Sequence, residues 1–332
     1  MAGADDLTWE IRQEAWPMRE AFHIKGYSFT HADVVTVTID SGGTRGSGEA
    51  AGVYYHDETV AGLAAQIDRT LRDNPRLDRA ALQTLLPPGG ARNALDCALW
   101  AIEAQQRGLP VWQLVGIERP VPILTTFTLG VTSINRTVAA AKGYSRARAL
   151  KLKLGGDGID DARIRAVRAA RPDVWLGVDA NQAFDRRALL DLVPVLVECE
   201  VALIEQPLPV GSEEELRGLD LPIPLAADES FQSAADLPRM AGIFQVVNIK
   251  LDKCGGLTEA LRIVDAAPQF GLGVMAGTMI TTSLGLAPAF LLAQRCSIAD
   301  LDGPVFLSED RPMPARYHDG YIEIPGDLWG HP

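Results

Sequence analysis

Residues 149–181 read ALKLKLGGDGIDDARIRAVRAARPDVWLGVDAN, and this stretch decides the architecture of most of the chain. A brief apolar run, Ala149–Leu154, gives way to a helical stretch and then to a second apolar run, Trp175–Val178. Short apolar runs of this kind suit parallel strands covered on both faces. From Val121 onward the alternation recurs, with candidate strands at Ile123–Leu129, Ala202–Ile204, Leu225–Ala227, Val246–Ile249, Gly273–Met275 and Ile298–Leu301. Lys153, Asp179, Glu205, Asp228 and Lys250 stand at the carboxyl ends of successive runs, at intervals of 26, 26, 23 and 22 residues. Asp300 and Asp302 close the series. One strand-plus-helix unit takes about that many residues, and a barrel brings eight such strand ends to one mouth, where active sites form. A doubly wound open sheet would not converge five consecutive strand ends on one point.

Upstream the texture differs. Leu7 to Val53 alternates apolar and polar residues, and Val34–Asp40 followed by Ser41-Gly42-Gly43 predicts a strand entering a hairpin. Helical periodicity is expected over Glu58–Arg72 and Ala91–Arg107, where Gly108-Leu109-Pro110 stops it. Strands followed by helices make an α+β module.

The chain has 332 residues, 47% hydrophobic and 22% charged, as a globular protein with a sizeable core would. A net charge of −12 argues against nucleic acid or an anionic membrane as partner. Met1 to Met18 is charged and has no apolar run, unlike a secretory signal. Cys97, Cys199, Cys254 and Cys296 are widely spread without a CxxC pair, as expected of a reduced, cytoplasmic protein. All five histidines (His23, His31, His56, His318, His331) lie outside the barrel segment, which excludes histidine acid/base chemistry there. Of 31 basic residues only six are lysine, and Lys151, Lys153, Lys250 and Lys253 crowd into two short apolar segments.

Three carboxylates from consecutive strands, Asp179, Glu205 and Asp228, form an oxygen-only set suited to Mg²⁺ or Mn²⁺. Lys151 and Lys153, two apart on a strand, face the same way. A neighbouring ammonium is expected to lower the pKa of Lys153 and make it a usable base. Lys250 lies across the mouth. Two lysines on opposite faces of a metal-bound carboxylate could remove an α-proton from one face and return it on the other, through a metal-stabilised enediolate. Lys253, beside Gly255-Gly256, reads as structural.

The ordered motifs Lys151-Leu152-Lys153, Asp179-Ala180-Asn181, Glu205-Gln206-Pro207, Asp228-Glu229-Ser230 and Asn248-Ile249-Lys250 through Gly255-Gly256 resemble the enolase superfamily, in its muconate-lactonizing subgroup. The resemblance covers essentially the whole chain. It implies a modified TIM barrel, (β/α)7β, over residues 119–304, an α+β capping domain over 1–118, and a segment 305–332 returning to the cap. It implies Asp179, Glu205 and Asp228 as Mg²⁺ ligands, Lys153 and Lys250 as acid/base catalysts, and Lys151 as assistant to Lys153 and the bound oxyanion. By the same analogy Lys250 serves the L isomer and Lys153 the D isomer.

Asp300-Leu301-Asp302 presents two acceptors on one face, which suits a substrate ammonium, and the pattern resembles the dipeptide epimerases. The implied reaction inverts the α-carbon of the C-terminal residue of an L-Ala-L-Xaa dipeptide. N-acylamino acid racemase, o-succinylbenzoate synthase or cycloisomerase chemistry is the alternative, with a non-catalytic metal- or peptide-binding barrel behind it. In the resembling epimerases a loop near the N-terminus reads the distal side chain. Here it is Phe22–Phe29, where Lys25, Tyr27 and Phe29 are the candidate contacts and where no arginine occurs between Arg19 and Arg45. A homo-oligomer is compatible with this reading.

Overall fold

The computed structural model describes residues 6–332. Eight parallel strands make the barrel: Phe127–Leu129, Ala149–Lys153, Trp175–Asp179, Val201–Glu205, Leu225–Ala227, Val246–Lys250, Gly273–Gly277 and Ile298–Asp300. They are hydrogen-bonded in sequence order. The seam between the eighth and the first is bridged by Thr126 N donating to Ala299 O at 3.0 Å. The Thr125 hydroxyl adds an acceptor for Leu301 N at 2.9 Å. Helices follow most strands, including Ile134–Gly143, Asp160–Ala170, Arg186–Glu198, Leu257–Ala266 and Ser283–Ala293. After the fourth strand the connection shrinks to a 3₁₀ turn, Glu213–Leu216, and after the eighth a 3₁₀ turn at Gly303–Phe306 replaces the helix.

Alternation along the strands sorts the side chains. Leu150, Leu152, Leu176, Val178, Ile204, Val247 and Ile249 face outward into the core beneath the helices. The opposite face points into the barrel. At its lower end Leu203, Ala226, Val246 and Met275 pack with Trp175 and Ile298 into a separate apolar plug. Gly177 admits this packing, because a Cβ there would lie 2.8 Å from the Trp175 ring. The charged residues therefore rest on a dry floor at the carboxyl-end mouth.

The expected strand Ile123–Leu129 is two pieces. Ile123–Leu124 pairs antiparallel with Tyr321–Glu323, which also pairs with Arg316–His318, and only Phe127–Leu129 joins the barrel. The antiparallel ladder runs on through Thr125 N to Gly320 O at 3.1 Å, and barrel bonding begins only at Thr126 N, which donates to Ala299 O.

The cap is a three-stranded antiparallel sheet, Thr8–Ile24, Tyr27–Ser41 and Thr44–Ala50, carrying helices Val60–Asp73, Arg79–Leu85 and Gly90–Arg107. The first helix starts two residues later than its periodicity suggests. Thr59 caps it by accepting from Gly62 N, while Glu58 stays outside and takes Val53 N at 2.8 Å instead. The helix ending at Arg107 stops on Gly108 in the left-handed region, φ 63°. No helix among the described residues is long and apolar enough to cross a membrane.

One ionic network ties cap to barrel. Arg311 donates to Glu14 Oε1 at 3.0 Å, to Glu49 Oε2 at 2.6 Å and to the Thr282 hydroxyl at 3.0 Å. Fully buried Glu49 also accepts from Thr281 Oγ1 at 2.6 Å and from Thr282 N at 2.9 Å. Breaking a buried pair by removing one partner typically costs about 3–5 kcal/mol, since the other charge stays buried and unpaired. Arg311→Met should therefore lower the thermal unfolding midpoint by several degrees. A midpoint unchanged within a degree would show that the network does not hold the cap.

Candidate active site

Lys153, Asp179, Glu205, Lys250 and Asp300 end their barrel strands, and Asp228 follows the fifth, so inward-facing polar positions reach the mouth together. Lys153 pairs with Asp179 and Asp179 with Glu205 as strand neighbours. One oxygen from each of Asp179, Glu205 and Asp228 lies within 4.8 Å of the others, and all three residues are buried. The spacing argument thus places the five residues in one constellation.

The lysines are held by the carboxylates around them. Lys153 Nζ lies 2.6 Å from Asp179 Oδ2, and Lys250 Nζ lies 2.7 Å from Asp228 Oδ2. Lys151 Nζ is shared between Asp300 at 2.7 Å, Glu205 at 2.8 Å and Asp179 at 3.1 Å. Burial opposes the charge of Lys151, but Asp300, Glu205 and Asp179 outweigh it and hold its pKa well above the usual lysine value. Lys151 therefore stays an ammonium fixed among carboxylates. Burial likewise opposes charge on Asp179, yet Lys153 and Lys151 hold its pKa below the ordinary range. Glu205 goes the other way, pushed up by burial and by Asp179.

Lys253, read from its sequence context as structural, reaches the triad itself. Its buried Nζ donates to Asp228 Oδ1 at 2.7 Å, Asp228 O at 2.6 Å and Asn248 O at 3.0 Å. Gln206, with φ at 35°, reaches over to accept from Asp228 N at 3.0 Å and Ser230 N at 3.1 Å. Such strained backbone clusters at functional sites. Asn248 Nδ2 donates to Glu205 Oε1 at 2.9 Å. Gly277 leaves room for that amide, since a Cβ there would fall 2.6 Å from Asn248 Oδ1.

The donor set fits a divalent metal on two counts. Buried Asp179, Glu205, Asp228, Glu229, Asp300 and Asp302 outnumber the ammoniums of Lys151, Lys153, Lys250 and Lys253 by two. Asn181 Oδ1 and Glu229 Oε2 are buried acceptors without a protein donor, next to the triad in sequence. A hydrated divalent cation would supply both the charge and the donors.

Lys151, Lys153 and Lys250 line a cavity of about 510 Å³, together with Asp300 and Asp302. Asp300 accepts from Thr126 Oγ1 at 2.5 Å, and Asp302 Oδ2 from Thr128 N at 2.5 Å. Asp302 lies just past the eighth strand and precedes the turn at Gly303, yet it caps nothing with its side chain. Burial and then Asp300 push the pKa of Asp302 up, as expected of paired carboxylates in want of a cation.

The N-terminal loop is in fact the tip of a β-hairpin, with Phe22 opposite Phe29 and Ile24 opposite Tyr27. Phe29 lines the cavity as expected. Lys25 and Tyr27 are not among the lining residues. Lys25 is exposed, its Nζ 3.4 Å from Ala183 O, and Tyr27 is 44% exposed. Lys25 falls in the turn after cavity-lining Ile24, whereas Tyr27 shares the face of Phe29 and packs edge-on against Tyr54, ring centroids 4.5 Å apart, without itself lining the cavity. Phe22, Ile24 and Tyr54 line the cavity instead. Tyr54 sits on a cap segment whose Ala51 and Gly52 N–H groups are held by Asp252, two residues past Lys250. Strand alternation could have found Phe22 in the sequence, but nothing local marks Tyr54.

Residues 7–116 match the N-terminal domain of the mandelate racemase/muconate lactonizing enzymes, and residues 134–329 match the enolase C-terminal domain-like family. The L-Ala-D/L-Glu epimerase of Escherichia coli is 36% identical over 320 residues, covering 96% of this chain and 99% of the relative. An N-acetyl-D-glutamate racemase of Pseudoalteromonas is also 36% identical, over 90% of this chain and 95% of the relative. A crystal structure of an enolase family member from Agrobacterium tumefaciens with homology to dipeptide epimerases, holding sodium and L-Ala-L-Glu, superposes with a TM-score of 0.94. It is 37% identical and covers 98% of this chain and 100% of that one.

Proposed function

The chain belongs to the mandelate racemase/muconate lactonizing family of the enolase superfamily, and from that premise we propose that it is a Mg²⁺-dependent dipeptide epimerase. The observation that carries the proposal is a pair of lysines on the second and sixth strands, each tethered to a carboxylate of the triad, facing a cavity with Asp300 and Asp302 in its wall.

In this reading Asp179, Glu205 and Asp228 hold Mg²⁺. Bound there, Mg²⁺ would supply Lewis-acid stabilisation of negative charge on a substrate carboxylate. Every other part of the work falls to the chain. Asp300 and Asp302 take the free ammonium of the dipeptide and fix its register. Lys250 handles the α-proton of the L isomer and Lys153 that of the D isomer. Lys151, permanently charged, faces the substrate's carboxylate oxygens and orients them. Asn248, Gln206 and Lys253 keep Glu205 and Asp228 in place. The test is incubation of an L-Ala-L-Xaa set with enzyme and Mg²⁺ in D₂O, followed by mass measurement. One added deuteron per molecule, with both epimers present, is expected. No mass gain on any dipeptide would sink the reading.

The racemase relative favours a second reading, in which the amino group is acylated and carries no charge. Asp300 and Asp302 discriminate. Removing a charged hydrogen-bond partner typically costs about 1.5–3 kcal/mol, roughly tenfold to a hundredfold in kcat/KM. Asp302→Asn should impose that loss on L-Ala dipeptides and spare N-acetyl amino acids. Equal losses on both substrate types would count against the ammonium role.

A further inference from the structure

We propose that the site takes dipeptides whose C-terminal residue carries a large apolar side chain, an inference resting on the epimerase reading above. With the α-carbon between Lys153 and Lys250 and the amino end at Asp300 and Asp302, that side chain is left with the part of the cavity beneath the cap. Its lining there is Phe22, Ile24 and Phe29 from the hairpin, Tyr54 from the cap segment, and Ile280 and Phe306 from barrel turns. These groups are packed against one another. The Phe22 and Phe306 rings lie 4.6 Å apart between centroids, and Phe29 meets Tyr54 edge-on at 5.3 Å. Phe22, Phe29, Ile280 and Phe306 also form one apolar cluster with Met18, Ala32 and Leu307. The wall is therefore a continuous apolar surface built jointly by cap and barrel.

Charge points the same way. The cations lining the cavity are Lys151, Lys153 and Lys250, each already engaged by carboxylates, and no arginine lines it. Lys25, at the hairpin tip, lies outside the lining and is turned to the carbonyl of Ala183. An acidic side chain would be desolvated beside aromatic rings without a free cation to pair with, and such burial of a charge is strongly unfavourable. A basic side chain fares little better. Of the outer carboxylates, Glu14 is engaged by Arg311 and Glu58 by the N–H groups of Val53 and Gly90. Only Asp33 is left, and it is exposed, where an ion pair contributes little.

The experiment compares kcat/KM of the purified enzyme with Mg²⁺ for L-Ala-L-Phe, L-Ala-L-Leu, L-Ala-L-Ala, L-Ala-L-Glu and L-Ala-L-Lys, read as α-deuteron uptake. The Phe and Leu peptides are expected to exceed the Glu and Lys peptides by about tenfold or more, the scale on which such pockets discriminate. A Glu or Lys peptide turned over as well as, or better than, the apolar ones would overturn the inference while leaving the epimerase reading intact. No uptake on any peptide would instead remove the epimerase reading and this inference with it. Phe29→Ala and Tyr54→Ala supply a second measure. Each should raise KM for L-Ala-L-Phe by more than for L-Ala-L-Ala. Equal effects on the two peptides would mean that the rings only support the fold, and would overturn the assignment.

Discussion

Lys250→Ala should abolish interconversion of the two epimers yet leave α-proton exchange on one of them. A positioned acid or base contributes roughly 10²–10⁴-fold. Epimerisation needs both lysines, so its loss should reach the upper end of that range. Exchange needs only the lysine on the proton's own side. With Lys250 removed, the L,D dipeptide should still gain deuterium through Lys153, and the L,L dipeptide should not. Lys153→Ala should give the mirror result. The geometry behind this expectation is the separate tethering of the two ammoniums, one to Asp179 and one to Asp228. If either variant lost exchange on both epimers alike, the lysines would not act on opposite faces. If it epimerised within tenfold of the parent, the lysine would not be an acid/base at all.

Removing the metal should have the other large effect. Chelation should bring turnover to background, and added Mg²⁺ or Mn²⁺ should restore it. Stability should change in step, because the buried carboxylates of the site outnumber its ammoniums by two, and a bound cation would offset that excess. A ligand bound only by the folded state stabilises it by about 2.7 kcal/mol at a hundred times its Kd. The unfolding midpoint should accordingly rise with Mg²⁺ concentration. In Asp228→Asn that rise should shrink or vanish. Full turnover after exhaustive chelation would refute the metal's role.

The barrel and the grouping of its candidate site residues were legible in the sequence because both obey simple periods. Strand ends recur at near-constant intervals, and inward positions alternate, so Lys151, Lys153, Asp179, Glu205, Asp228 and Lys250 could be placed together from numbers alone. Asp300 and Asp302 were legible for the same reason. What failed depends on the path of the chain between regular elements. Lys25 and Tyr27 were read as candidate contacts, but Lys25 falls in the hairpin turn and Tyr27, on the face of Phe29, packs against Tyr54 rather than lining the cavity. Lys253 lies three positions after Lys250, off the strand, and only the tight turn at Leu251–Cys254 folds its ammonium back under Asp228. Nor could the pair Lys151/Lys153, read as strand neighbours, reveal that Lys151 is held by three carboxylates from other strands. Pair arguments within one strand cannot foresee partners that only the closed barrel brings near.

The Arg311 network bears on how such a chain could be recombined. The triad and its lysines sit on the barrel, while much of the apolar cavity lining sits on the cap, so exchanging caps between relatives is the obvious route to new substrates. Yet Glu14, Thr36 and Glu49 belong to the cap, whereas Arg311 and Thr282 do not. A chimera cut between residues 107 and 127 would join an acidic socket from one parent to a guanidinium plug from the other. Only parents matched at these five positions should yield folded hybrids. That compatibility rule concerns residues remote from the triad and can be applied before any hybrid is made.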